Sequence, residues 1–190
     1  MKIEVNSKAL DINQEYFDKY CANGDSYARG YRFYTTMPTK LLADCAALNI
    51  IVDTILDVGC ATGELVKDYL NLGIFAMGID NSTYAIEHNI CSKSFCFQAD
   101  MRKLMMHFKE NSFDIVYTNS LMYLPSEDVP LALKQMYTIS KYGVYWNAGY
   151  LGESVTPDHY RKFTADRAWW KTKFENAGFE DSRSNRLWLK

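Results

Sequence analysis

Short apolar runs alternate with amphipathic stretches from residue 39 onward. The run Thr54-Ile55-Leu56-Asp57-Val58 is apolar apart from one acid and predicts a buried strand. Residues 74–80, 94–99, 113–118 and 143–147 predict further strands. Between these runs the apolar positions recur at helical spacing. In 39–48 they are Leu41, Leu42, Cys45, Ala46 and Leu48. In 64–72 they are Leu65, Val66, Tyr69, Leu70 and Leu72, and Gly73 supplies a stop. Helices are also expected over 83–89, with Asn81 or Ser82 as cap, and over 129–139. A last helix is expected over 165–177, ended by Gly178.

Strands that alternate with helices predict an α/β chain with a parallel sheet covered on both faces. In such sheets a ligand sits beyond the carboxyl ends of the strands, which is where the informative polar residues below fall. One domain accounts for 1–190, as an N-terminal helical lid or cap over 1–50 and a core over 51–190. The N-terminal stretch concentrates Tyr16, Phe17, Tyr20, Tyr27, Tyr31, Phe33 and Tyr34. They read either as a lid that excludes water or as core packing of the first helices. Tyrosine hydroxyls want partners, so Tyr16, Tyr20, Tyr27 and Tyr31 are not all core. Arg29 and Arg32 read as partners for an anionic group on a ligand, or as ordinary surface charge.

Composition narrows the function classes. Lys and Arg total 21 against 23 Asp and Glu, a net charge of -2, which argues against a dedicated nucleic-acid binder. Hydrophobic residues make up 48% of the 190, enough for one sizeable core. Cysteines at 21, 45, 60, 91 and 96 show neither CxxC spacing nor the density of a disulfide scaffold. No metal site is expected, and the thiols read as reduced. The start lacks the apolar stretch of a signal peptide. No apolar run approaches the roughly 20 residues that span a bilayer. The expectation is a cytoplasmic protein with no membrane partner.

The turn after the first of these strands is Asp57-Val58-Gly59-Cys60-Ala61-Thr62-Gly63-Glu64. Glycines there permit a sharp turn and close approach of a ligand. A pyrophosphate-binding turn would read G-x-G-x-x-G, but Ala61 and Glu64 replace its second and third glycines. Asp57 repels a pyrophosphate and suits a ligand carrying an ammonium and a sulfonium. Asp80 closes the next strand, where a carboxylate can accept from both hydroxyls of a ribose. Asp100 closes the third and can accept from an adenine amino group, with the N–H of Met101 on a ring nitrogen. Together these groups describe a pocket for an adenosine without phosphates.

The succession LDVGCATGE, GIDNS, QADMRKL and FDIVYTNSLMYLP resembles the class I S-adenosylmethionine-dependent methyltransferases of the small-molecule type. The resemblance covers 54–149 and implies S-adenosylmethionine as cofactor. It implies an α/β, Rossmann-like three-layer αβα sandwich on a mostly parallel sheet of six to seven strands. The resemblance carries the methionine-binding role onto Gly59 and Gly63, the ribose role onto Asp80 and the adenine role onto Asp100; Asp57, Cys60, Ala61, Asn81 and Met101 are expected to complete the cofactor site. Asn119, which with Ser120 and Tyr123 follows the fourth strand, is implied near the methyl group. The family often has glycine at Ala61 and commonly histidine at Tyr123. Its sheet ends in two more strands, the last antiparallel, whereas only a dozen residues follow Gly178. Either the sheet is one strand short or its last strands are very brief. A shortened edge completed by a second copy would make a homodimer.

Methyl transfer from a sulfonium is an in-line displacement in which the protein mainly positions and desolvates. A base is needed only where the acceptor must lose a proton. His159 is the base candidate, in a segment after the fifth strand; a surface loop histidine is the alternative. Tyr123 is a poor base that can orient an acceptor or simply cap the core. His88 is expected on a surface helix and His107 in a loop or short helix. Trp169-Trp170, followed by Gly178-Phe179, loosely resembles enzymes that methylate glycans or their precursors. The implied function is methyl transfer to a small-molecule or sugar-like acceptor. A nucleic-acid or protein methyltransferase is the first alternative, weakened because Thr118-Asn119-Ser120-Leu121 lacks a Pro-Pro pair. A non-catalytic cofactor-binding partner subunit is the second, against which the intact loop speaks.

Overall fold

Why the chain turns back on itself at each element is readable in a computed structural model that describes residues 1–12, 14–17, 36–147, 149–152, 158–182, 184 and 186–190. Strand β1 is Ile3–Val5, and a short helix α1 spans Gln14–Phe17. Helix α2, Met37–Ala46, starts with Pro38 in its first turn, where a missing N–H costs nothing. Then follow β2 (Thr54–Val58), α3 (Glu64–Asn71), β3 (Phe75–Asp80), α4 (Thr83–Glu87) and β4 (Cys96–Gln98). After β5 (Phe113–Thr118) come α5 (Val129–Ile139), β6 (Ser140–Trp146) and β7 (Phe163–Ala165). The chain closes with α6 (Arg167–Ala177), β8 (Glu180–Asp181) and β9 (Leu187–Leu189).

Seven strands form one sheet in the order β4-β3-β2-β5-β6-β9-β8. All neighbours from β4 to β6 are parallel, and β9 pairs antiparallel with both β6 and β8. Alternate side chains of the central strands feed two cores. Leu56, Val58, Val116 and Val144 pack with Leu133 and Met136 of α5 and Trp170 and Phe174 of α6. Ile55, Ile115, Tyr117 and Tyr145 pack with Leu41 and Cys45 of α2 and Val66 and Tyr69 of α3. Helices on both faces give the three-layer αβα sandwich that the alternation predicts.

Both terminal strands exist, and they are very brief. Trp188 of β9 stacks on Phe174, ring centroids 4.5 Å apart, and Trp146 lies 4.6 Å from Trp170. Aromatic packing thus holds an edge that little backbone pairing supports.

Several bounds differ from the sequence pattern for local reasons. Helix α6 starts at Arg167 rather than 165, because Asp166 is extended and its Oδ1 accepts from Trp169 N at 2.8 Å. Strand β6 begins at Ser140, directly out of α5 with no intervening loop. Strand β4 is shorter than 94–99, because Ser92 O accepts from the N–H groups of Phe95 and Cys96 and turns the chain there. Ser82, not Asn81, caps α4, with its hydroxyl accepting from Ala85 N. Within the N-terminal segment expected to be helical, Ile3–Val5 forms a strand antiparallel to β7, with Ile3 opposite Ala165 and Val5 opposite Phe163. The strap continues as Asn6 N donates to Lys162 O and Leu10 N to His159 O.

The closing pair β6–β9 depends on one missing side chain. A Cβ on Gly143 would lie 2.0 Å from Trp188 O, a backbone atom that cannot swing aside. Gly143→Ala should therefore cost about 3 kcal/mol or more. A urea midpoint within error of the parent protein would refute this reading of the edge.

Candidate active site

The glycine loop leaves β2 at the carboxyl edge of the sheet. Gly59 takes φ 83° and Gly63 φ 84°, both left-handed. A Cβ on Gly59 would meet Ser120 Oγ at 1.9 Å, and one on Gly63 would meet Asn89 Nδ2 at 2.6 Å. The loop is thus sandwiched between the segment after β5 and the one before β4. Ala61 is also left-handed, at φ 49°, a conformation that costs an L-residue about 1 kcal/mol.

The amide groups of this loop are spent internally. Gly59 N and Cys60 N both donate to Ile79 O, at 2.8 and 3.0 Å, and Gly63 N donates to Cys60 O. Ala61 N donates to Asp80 Oδ2 at 2.9 Å, while Asp80 Oδ1 accepts from Ser82 N at 2.8 Å. A loop that cradles phosphate presents its N–H groups outward; these four point inward. A pyrophosphate does not fit here.

Charge gives the same answer. Asp57 is 3% exposed, and burial, then Cys96 and Asp80, push its carboxyl well above the usual range. Burial raises the Asp80 carboxyl too, opposed by the N–H groups of Ser82, Ala61 and Asn81. With Asp57 buried and Asp80 half-buried, the environment of these acids favours a cationic ligand over an anionic one. The donor set therefore fits a ligand with an ammonium, a sulfonium and a ribose.

Asp100 caps the turn Met101–Met106 by accepting from Arg102 N at 2.9 Å. Its oxygens also take the Arg102 guanidinium, with Nη2 at 2.7 Å, and Arg102 Nη1 reaches Asp128 at 2.6 Å. The bond from Arg102 holds the Asp100 carboxyl below its usual range. The pairing of Asp100 with Arg102 was not part of the sequence reading, although the spacing in QADMRKL carries it. Met101 is half-buried against the core. Asn81 is exposed, and its carbonyl accepts from Gln98 Nε2. Asn119 is half-buried just past β5.

The second cluster surrounds Tyr123, which ends the turn Leu121–Tyr123 after β5. Its hydroxyl donates to Asp158 Oδ2 at 2.6 Å and accepts from Tyr16 at 3.5 Å. Asp158 Oδ1 accepts from Tyr160 N at 2.9 Å, and Arg161 Nε lies 3.4 Å from Oδ2. Burial, then Asp158, raises the Tyr123 phenol above its ordinary range. Tyr16 sits edge-on to Tyr160 at 4.8 Å, and Phe17 stacks on Tyr84 at 5.7 Å. Both α1 rings pack with Ala61 and Ala85, which brings the N-terminal helix to the cofactor loop.

His159 is exposed beside this cluster, and its carbonyl accepts from Leu10 N. The structure brings Asp158, its neighbour, and not His159 to Tyr123. His88 is exposed, with Nδ1 2.8 Å from Tyr84 O, and His107 faces the Phe97 ring at 5.4 Å. Tyr20, Tyr27, Tyr31, Phe33, Tyr34, Arg29 and Arg32 lie outside the described residues.

Residues 55–143 match a family model described as a methyltransferase domain. No curated protein matches the chain. An S-adenosylmethionine-dependent methyltransferase of Archaeoglobus fulgidus superposes with a TM-score of 0.59 at 21% identity, over 83% of this chain and 76% of that one. A protein of Pyrococcus horikoshii superposes at 0.68 with 16% identity, over 94% and 97%. DesVI of Streptomyces venezuelae gives 0.68 and 14%, over 95% and 98%. The likeness to these structures is one of fold.

Asp57 makes the site's charge testable. Its raised carboxyl binds a proton more tightly in the folded than in the unfolded state. The stability it contributes is full below the ordinary carboxylate pKa and is lost as pH rises from there toward the folded value. Asp57→Asn should therefore stabilise the ligand-free protein at pH 7 by on the order of 1 kcal/mol. The same change should weaken S-adenosylmethionine about tenfold or more. Urea titrations at pH 5 and 7.5 with calorimetric binding check both; a variant that is less stable at pH 7.5 contradicts the assignment.

Proposed function

We propose that this chain, whose residues 55–143 match a methyltransferase domain, is a class I S-adenosylmethionine-dependent methyltransferase that methylates a small molecule, of sugar-like or glycan-precursor scale, seated against Tyr123 and Asp158. The line Tyr16–Tyr123–Asp158 carries the proposal, because it places a polar relay inside an aromatic wall at the carboxyl edge of the sheet. Among the described residues, Arg102 is paired with Asp100 and Asp128, Arg161 with Asp158, and Lys162 with Asp11. That balance suits a compact uncharged or cationic acceptor better than a polyanion.

When bound, S-adenosylmethionine supplies an electrophilic methyl group on a sulfonium. Asp57, Gly59, Cys60, Ala61 and Gly63 would hold its methionine part, Asp80 and Asn81 its ribose, and Asp100 and Met101 its adenine, with Asn119 lining the same pocket. Tyr123 keeps its own proton at neutral pH, because its phenol is raised. Its hydrogen points at Asp158 Oδ2 and one lone pair accepts from Tyr16, which leaves the other lone pair to accept from the nucleophile's O–H or N–H. As the acceptor loses its proton to Tyr123 Oη, the Tyr123 proton passes to Asp158 Oδ2. Asp158 thus takes the role of final proton acceptor, in place of the exposed His159. Tyr16 and Phe17 exclude water from the loop.

Formation of S-adenosylhomocysteine should be followed with amino sugars, nucleotide sugars and small alcohols, beside a transfer RNA and a protein mixture. Turnover confined to the macromolecules sinks the proposal. With an active acceptor, Tyr123→Phe and Asp158→Asn should each lower kcat about a hundredfold. Their cofactor KM should stay within about threefold, and His159→Ala should change kcat by less than about threefold.

A further inference from the structure

Arg161 stands beside the Tyr123 relay with most of its donors unspent. Its Nε lies 3.4 Å from Asp158 Oδ2, the same oxygen that takes the Tyr123 hydroxyl at 2.6 Å. A guanidinium can donate from every one of its nitrogens. Among the described residues, neither Nη1 nor Nη2 of Arg161 has a hydrogen-bond partner. The side chain is nevertheless only 18% exposed. Arg102 is the contrast. It is 36% exposed, yet its Nε, Nη1 and Nη2 all meet carboxylate oxygens. Arg161 has given up more water and received fewer bonds in return. Its one bond is long for a charge-assisted pair, so the cation is both poorly hydrated and poorly paired.

The backbone beneath it is fixed from two sides. Asn6 Nδ2 donates to Arg161 O at 3.1 Å, and Asn6 N donates to Lys162 O at 2.8 Å. From the other side Lys162 N donates to Met122 O at 2.9 Å. The N-terminal strap and the turn that carries Tyr123 therefore grip the same two residues. Arg161 is held in place before a ligand arrives, so little chain ordering is left for binding to oppose.

We propose that Nη1 and Nη2 of Arg161 bind a carboxylate of the methyl acceptor, and that Arg161 thereby selects acceptors carrying one such group beside the nucleophile. This rests on the reading of Tyr123 and Asp158 as the acceptor end of the site. The guanidinium fork matches a planar carboxylate. Asp158 limits the charge of the partner. It lies against the same guanidinium, so a phosphate dianion meets stronger repulsion there than a carboxylate does. An amino group on the same molecule offsets the carboxylate and leaves the acceptor without net charge. Among sugar-like acceptors the class favoured is therefore the sugar acids, amino sugar acids above all.

The test measures binding apart from turnover. The whole chain, saturated with S-adenosylhomocysteine, is titrated with glucuronate and gluconate and with the corresponding amides, followed by nuclear magnetic resonance. Each carboxylate should bind about tenfold or more tightly than its amide. Arg161→Gln should abolish that difference. Arg161→Lys keeps the charge without the fork and should restore part of it. S-adenosylhomocysteine should bind both variants within about threefold of the parent protein. Equal affinity for carboxylate and amide, binding of neither carboxylate, or a preference that survives Arg161→Gln overturns the proposal. The last is what a merely structural arginine would give, since its loss weakens both probes alike. A large loss of S-adenosylhomocysteine affinity in Arg161→Gln also overturns it, by giving the cation to the cofactor's own carboxylate. The small-molecule reading fails on a different observation, turnover confined to macromolecules, so the two failures are told apart.

Discussion

The Asp80 carboxylate holds the amides of two separate loops, Ala61 N with one oxygen and Ser82 N with the other. Much of the site depends on that bridge. With Ile79 O accepting from Gly59 and Cys60, it binds the turn after β2 to the end of β3. The left-handed strain at Ala61 persists because this bridge over-determines it. It also makes the loop amides unavailable to an anion. Phosphate binding and this arrangement are alternatives for the same N–H groups, and the chain has taken the second. The choice of an uncharged adenosine with a cationic tail follows from hydrogen bonds rather than from the glycines themselves.

How much of this was legible in the sequence depended on how local its cause was. Strands β2 and β5 and helix α5 match their sequence patterns end to end, because burial and immediate neighbours set both bounds. The loop and the acids closing β2 and β3 were equally legible, since each sits in register at a strand end. Strand β1 was not. Ile3, Glu4 and Val5 are all exposed, so no apolar alternation marks them, and their partner β7 lies far along the chain. Tyr123 could be singled out, but its partner could not. Asp158 and His159 are adjacent, and only the turn that donates Tyr160 N to Asp158 decides which side chain turns inward.

Buried acids and an aromatic cover belong together physically. Rings laid over a carboxylate lower the local dielectric, which raises both its attraction for a cation and its cost without one. Asp57 bears that cost in the ligand-free protein. Helix α1 is too short to be stable alone; Tyr16 and Phe17 hold it by packing on Ala61, Ala85 and Tyr160. A cation that satisfies Asp57 removes the main penalty for keeping the site dry, and a dry site is what the α1 rings complete. Ligand and cover therefore stabilise one another through the same few side chains, without any contact between them being required. The acceptor end inherits this order, because Tyr16 reaches Tyr123 as well as the loop. Tyr16 of α1 thus borders both the loop and Tyr123, so one short helix touches the two halves of the proposed site.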